Sequence, residues 1–344
     1  MAKLIRVSDD GGLTYNSVPG PDGELTNNGE AIDDTVLGQT FNSEFTGLIT
    51  WSINTTGYYK GVPGYCGKIL KQGTPVATTG EAMSLVTGQT YQIDDATKEL
   101  WDRTAPLTVF DDGADVTSEV ETFDYLFGKI TFNSSYVVTS PVTVDISYIP
   151  VIEFGRPQGF TLNQTAEIRD ESDINATCAN NGYRLSASGL RSVSVDFEGI
   201  YDVSADLIQD LEDRGEVLLE INPDNQKKSL CRGFFRITDV SQSGNVGENE
   251  IESITFSLSV PSSDFSPFGW QHEPDTTLPT AIIQVLDAWN AESELDAQYL
   301  PNGVGGAGGK QGKVIVNDVT LTNNIDGLPE FALSFTGNGA LVDA

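Results

Sequence analysis

The chain has 344 residues, and its 50 acidic against 19 basic residues give a formal net charge of −31. A surface this acidic does not grip nucleic-acid phosphates, which takes clustered Lys and Arg, although it lets nucleic acid pass without adhering. Solubility or a salty habitat accounts equally well for the charge alone.

Leu4–Val7 reads as a short strand, and Gly12–Asn16 (GLTYN) as another. Residues 17–46, with PGPDG and NNG, read as a long polar loop. Gly47–Tyr59 (GLITWSINTTGYY) alternates apolar and polar residues, the period of a half-buried strand. Residues 65–150 read as a separate all-β insert, with strands at Thr90–Ile93, Leu107–Phe110, Lys129–Phe132 and Val142–Ile149. Gly159–Asn163 echoes Gly12–Asn16, and a second polar loop is expected over 164–188.

Gly189–Tyr201 (GLRSVSVDFEGIY) is the strand around which the rest is organised. Val193, Val195 and Phe197 share one face, and Ser192, Ser194, Asp196 and Glu198 the other. It aligns with Gly47–Tyr59 at Gly47, Leu48, Ser52, Gly57 and Tyr59, five identities in thirteen positions. A helix follows from Ser204 to Arg214, then strands at Val217–Ile221, Gly233–Val240 and Ile254–Val260. The last stretch repeats that closing half. A helix opening at Thr277 or Thr280 places Ile282, Ile283, Leu286 and Trp289 on one stripe. Gly312 with Asp318-Val319-Thr320 matches Gly233 with Asp239-Val240-Ser241, and Phe331, Leu333, Ser334 and Phe335 are set against Ile254, Phe256, Ser257 and Leu258. The reading is one unit present twice. The first copy is split into 1–60 and 273–344, and the second is continuous over 150–264.

No pattern of catalytic residues emerges. His272, in GWQHEPD, is the only histidine and reads as a surface linker residue, which leaves no Ser-His-Asp, Cys-His or zinc arrangement. Gly303–Gly308 fits G-x-G-x-x-G but precedes an expected strand, so it reads as a glycine loop and not a dinucleotide site. The acidic clusters Asp111/Asp112/Asp115 and Asp170/Glu171/Asp173 lack the spacing of a calcium loop and read as solvated charge. Cys66, Cys178 and Cys231 have no C-x-x-C spacing, so neither a zinc site nor a disulfide framework is indicated, and isolated thiols suit a reducing compartment. MAKLIRVSDDGG lacks the apolar core of a secretory leader and no run reaches membrane-span length. Asn54-Thr55-Thr56 and Asn175-Ala176-Thr177 then carry no meaning as glycan acceptors. The expectation is no catalytic, cofactor or metal site, no membrane partner, and assembly in a cytoplasm.

The repeated unit, with its GL…S…GxY strand, polar loops, flanking helix and closing strand pair, resembles the major tail tube proteins of long-tailed (siphovirus-type) bacteriophages. The resemblance implies a mainly β chain: two tube-type β-sandwiches, each with a flanking helix, plus the all-β insert. It implies subunits joined by sheet edges into rings, rings stacked into a tube through the long loops, and an acidic lumen through which viral DNA passes. With two tube domains per chain, three chains would close a ring that six single-domain subunits ordinarily form. Partners would be other copies of the chain and tail proteins such as the tape measure and the terminator. There are no Lys or Arg residues between Val7 and Tyr59 or between Ile237 and Gly309, whereas Lys60, Lys68 and Lys71 cluster where the insert begins, so the insert is expected to face outward. The rival readings are a terminator or baseplate ring subunit, a glycan-binding adhesin, and, least favoured, a polysaccharide depolymerase.

Overall fold

The computed structural model describes residues 3–20, 22–33, 44–59, 66–155, 157–172, 183–200, 213, 215–223, 228–243, 251–260, 265–273, 276–324 and 327–344. The chain is mainly β. It starts with β1 (Leu4–Ser8) and β2 (Asn16–Ser17), then forms the hairpin β3 (Asp22–Asp33) and β4 (Glu44–Tyr58). β5 (Cys66–Gln72) precedes β6 (Val76–Thr87), β7 (Thr90–Ile93), β8 (Thr108–Asp111), β9 (Ala114–Asp115), β10 (Val120–Asp124), β11 (Lys129–Phe132) and β12 (Val142–Tyr148). β13 (Val151–Gly155), the hairpin β14 (Gly159–Asp170) and β15 (Ser186–Ile200), β16 (Glu216–Asn222), β17 (Ser229–Ser243), β18 (Ile251–Leu258) and β19 (Phe268–His272) follow. Helix α1 (Thr280–Ala291) and strands β20 (Leu295–Leu300), β21 (Lys310–Asn324) and β22 (Glu330–Asp343) close the chain.

Among the described residues, these strands form two sheets. β6–β12 make a 7-stranded sheet ordered β10-β11-β7-β6-β12-β8-β9, and the others make a 15-stranded sheet. The sequence reading starts the insert at residue 65, but β5 pairs with β16 and β13 with β5, so both belong to the large sheet. The small sheet has its own core around Trp101, Val109, Ile130 and Phe132.

Two sets of strands in the large sheet have the same pairing. One is β3-β4-β22-β21-β20-β1, the other β14-β15-β18-β17-β16-β5. The correspondence holds residue by residue. Ile53 lies opposite Phe335, and Val195 opposite Phe256. Asp318 and Asp239 each follow a bulge in the long strand, opposite Ser334 and Thr255. Leu295 opposite Val314 corresponds to Val217 opposite Phe235, and Val7 opposite Ala297 to Ile69 opposite Leu219. The two hairpins carry bulges at the same place, between Gly29 and Ala31 and between Ala166 and Ile168. A bulge adds a residue and bends its strand, so a matched bulge is a matched shape.

Side-chain volumes exchange between the two sets. Trp51 takes the position of Val193, and the strand beside it carries Gly337 where the other set carries Leu258. A Cβ on Gly337 would collide with the Trp51 ring, and one on Gly312 would lie 2.6 Å from it. A large ring beside two glycines and a small valine beside a leucine fill comparable space, which is how packed cores tolerate change.

The strand register at Gly47/Gly189 and Gly312/Gly233 is as the sequence reading has it. Three other readings are corrected. Leu333 and Phe335 stand where Ile254 and Phe256 do, two residues from the sequence match. Residues 9–14 are bends rather than a strand, and the counterpart of Gly159 is Asp22, not Gly12. The supposed loops 17–46 and 164–188 contain β3, the end of β14 and the start of β15. The signal was faint because Leu25 is the only bulky apolar residue in the first eight residues of β3, so its alternation is nearly all polar. A deletion of Glu24–Asp34, harmless to the fold were this a loop, would instead remove nearly all of β3. The expected Ser204–Arg214 helix lies outside the described residues apart from Asp213.

One large core binds the structure. It takes Trp51, Ile53 and Leu333 from one set of strands, Val195, Phe197 and Phe256 from the other, and Ile282, Val285, Leu286 and Trp289 from α1. Val217, Leu219 and Ile221 on one face of β16 belong to it, while Leu218 between them joins Phe127, Leu126 and Phe234 in a third cluster under the insert. Arg232 reinforces that junction, pairing with Glu99 at 2.7 Å and Glu220 at 3.0 Å, all three side chains being at most 16% exposed. Arg103 lies over Phe234 and Phe265 and pairs with Glu216 at 3.0 Å. The insert therefore packs on the side of β16 turned away from the main core.

Candidate functional site

Alternation along β4 and β15 turns one face to the core and leaves the other polar. Trp51, Ile53 and Thr55 are buried, while Thr50, Asn54 and Thr56 are exposed. Val193, Val195 and Phe197 are buried, while Ser192 and Glu198 are exposed. The neighbouring strands continue this polar face with Glu24, Thr26 and Asn28 on β3, Glu330 and Ser334 on β22, Asp318, Thr320 and Thr322 on β21, and Thr161, Asn163 and Thr165 on β14. Thr255 on β18 and Asp239 and Ser241 on β17 complete it. None of these residues is basic, although Arg236, opposite Ser257, and Lys313, opposite Asn338, lie on the same face farther along β17 and β21.

Short side chains cross-link the face from strand to strand. Thr255 donates to Asp196 at 2.8 Å, Asn163 to Asp196 at 3.5 Å, and Thr320 to Asn163 at 3.1 Å. Farther along, Asn317 and Ser334 are 2.8 Å apart and Ser334 donates to Asn54 at 2.8 Å. Cross-strand pairs of this kind each add a few tenths of a kcal/mol up to about 1 kcal/mol and fix side-chain positions. The face is consequently rich in hydroxyl and amide groups and carries several carboxylates. Burial pushes the Asp318 carboxyl above its ordinary range.

The run β3-β4-β22-β21-β14-β15-β18-β17 has a closed seam in its middle and an open edge at each end. The seam joins the two sets of strands: β14 pairs antiparallel with the second half of β21, Thr165 opposite Asp318, Gln164 opposite Val319 and Asn163 opposite Thr320. The corresponding edges at the ends have no strand partner among the described residues: β3 pairs with β4 alone, and β17 beyond its bulge pairs only with β18. Burial tracks the difference. Gln164, Leu162 and Val319 in the seam are at most 1% exposed, whereas their counterparts Asn27, Leu25 and Val240 are exposed or half-exposed. Unpaired edge N–H and C=O groups are a template for another strand.

The other sequence candidates resolve into structure. His272 is not a surface linker residue: it ends β19, its side chain is only 10% exposed, and its ring stacks on Trp270. Its Nδ1 is 3.0 Å from Ser229 Oγ and its Nε2 is 3.6 Å from Asp287 Oδ1. This aligns a serine, a histidine and an aspartate, contrary to the sequence reading. Ser229 is fully buried and also 2.6 Å from Thr276 Oγ1, so no substrate reaches its hydroxyl and the group serves packing.

Burial, and then the neighbouring Asp9 charge, raise Asp287 from 3.8 to about 6. A carboxyl raised in the folded state costs nothing while protonated. Its penalty grows as pH rises from about 4 to about 6 and persists above. Asp287→Asn is therefore expected to stabilise the protein above pH 6 and to leave it unchanged near pH 3.5. The side chain is 60% exposed, so the gain is at most about 1 kcal/mol. Thermal melts at the two pH values check this.

Asp111 is 4% exposed, not solvated. Burial pulls its carboxyl upward, but bonds from Thr139 N, Tyr136 Oη and Ser140 N outweigh this and hold it below the usual range. Asp112 occupies a turn at φ 49°, and Asp115 accepts from Thr117 N and Oγ1. Asp170 accepts from Ser172 N and Arg184, while Asp173 lies outside the described residues. Among the described residues no His, Cys, Asp and Glu group could hold a metal. Gly303–Gly308 forms turns between β20 and β21, with Gly303, Gly305 and Gly308 at positive φ and no helix behind them. Cys231 is buried and unbridged, its thiol pushed far up by desolvation. The side chain of Cys66, and Cys178 and Asn175 altogether, are outside the description. No described helix is long and apolar enough to cross a membrane.

No protein-family model and no curated protein matches the chain. Among solved structures, it is similar to a chain in the tail of an empty GTA particle, solved by helical refinement with C6 symmetry. The match has 18% identity, spans 33% of this chain and 87% of that one, and has a TM-score of 0.26. A likeness this slight carries no conclusion about function.

Proposed function

We propose that the chain is a structural subunit of a siphovirus-type phage tail, one that self-assembles into stacked rings forming the tail tube. The supporting observation is the polar face just described: rich in hydroxyl, amide and carboxylate groups, running across eight strands and ending in two open edges, with Arg236 and Lys313 as basic residues on it. Joined edge to edge, such sheets form a barrel whose wall repels phosphate, through which DNA moves during ejection without adhering. The two matched sets of strands read as an internal duplication of the tube domain, so three chains supply the six units of a ring. The insert, which packs on the face of β16 turned away from the main core, would in this reading decorate the outside of the tube. The tape measure and terminator are the partners this role calls for, with assembly in the host cytoplasm and residence in the virion tail. In this role the chain is not an enzyme.

Negative-stain microscopy of the purified protein tests the reading. Tubes of indefinite length with an axial channel are expected. Single rings that never stack would assign the chain to a terminator or baseplate. A persistent monomer that binds a glycan would assign it to an adhesin.

A further inference from the structure

We infer that the chain encodes the register of its own inter-subunit seam: β3 of one copy pairs antiparallel with residues 239–243 of β17 in the next, as β14 pairs with β21 inside each copy. The inference rests on the proposed self-assembly. It adds which strands meet and which residues face one another.

The argument is by superposition of pairings. β14 corresponds to β3 and β21 to β17, each fixed independently by its register with its own neighbours. Transferring the internal seam onto the open edges sets Asn28 opposite Asp239, Asn27 opposite Val240 and Thr26 opposite Ser241 of the adjoining copy. The chemistry carries over. In the internal seam an amide, Gln164, faces Val319, and in the inferred seam an amide, Asn27, faces Val240. Asp318 faces the neutral Thr165, and Asp239 faces the neutral Asn28, so no like charges oppose one another. The pairing would bury positions that are buried in the internal seam and uncovered here. The two edges differ and lie at opposite ends of the run, so the contact is head-to-tail. Such a contact propagates from copy to copy until a ring closes.

Disulfide trapping tests the register. In a background with Cys66→Ser and Cys178→Ser, the pair Thr26→Cys with Ser241→Cys is combined in one chain and oxidised. The control pair Thr26→Cys with Asp239→Cys lies on the same face two residues out of register. A disulfide requires Cα atoms about 4.4–6.8 Å apart, so the first pair is expected to give a ladder of covalent oligomers and the second about a tenth of that yield or less. Assembled particles in which the control pair cross-links as well as the first, or in which neither does, overturn the register while leaving the tube reading intact. Covalent rings that never stack support the register and overturn the tube. A protein that stays monomeric and does not cross-link overturns both.

Discussion

Gly337→Leu alone is expected to destabilise the protein by about 3 kcal/mol or more, and Trp51→Val alone by about 3–5 kcal/mol, whereas the two together recover most of the loss. The Trp51 ring is 3% exposed, its Nε1 donates to Gly339 O at 2.9 Å, and it lies against Gly312 and Gly337, where no side chain fits. A leucine at 337 therefore drives into the ring, and a valine at 51 leaves a cavity. The other set of strands holds the combination the double variant would create, Val193 beside Leu258. The position of Gly312 differs least, since its counterpart is also a glycine, Gly233, against which Phe235 and Phe268 pack. Urea unfolding of the four proteins gives the coupling energy directly. Additive losses would mean that the two positions do not share space, and would undercut the correspondence of the two sets.

The second large effect concerns the wall. Glu198, Glu330 and Thr50 are exposed on the polar face, away from both open edges. If this face lines the proposed channel, changing all three to Lys is expected to leave folding and assembly intact and to make the particle hold DNA. Each phosphate neutralised releases counterions, so retention should rise about tenfold or more at about 0.05 M salt and vanish near about 0.5 M. Filter binding or co-sedimentation of assembled particles with short duplex DNA measures it. Wild-type particles that hold DNA as tightly as the variant would sink the proposal that this face lines the channel.

The order in which strands and helix follow one another was legible because burial on one face writes itself into the chain as alternation. Val193, Val195 and Phe197 mark β15 without ambiguity, and Ile282, Leu286 and Trp289 mark α1. The equivalence of Gly47–Tyr58 with Gly189–Ile200 was also legible, since both hold the same face to the same core. β3 was not: its outer edge is uncovered, so it carries Asn27 where β14 carries buried Gln164, and a strand with little to bury looks like a loop. His272 and Asp111 were misread for a related reason. Their burial comes from residues distant in the chain, Ser229 and Asp287 around the histidine, and Tyr136 with Thr139 and Ser140 around the aspartate.

By itself, then, the sequence determined a mainly β chain of overwhelming negative charge, with two related strand sets and basic residues kept off long stretches of it. Those are properties of composition and local period, which need no knowledge of neighbours. Only the tertiary structure decided that β14 seals against β21 while β3 and the end of β17 stay open, and that the polar residues of eight strands fall on one continuous face. Strand pairing is a choice among partners far apart in sequence, made by hydrogen-bond register and shared core, and no local pattern records it.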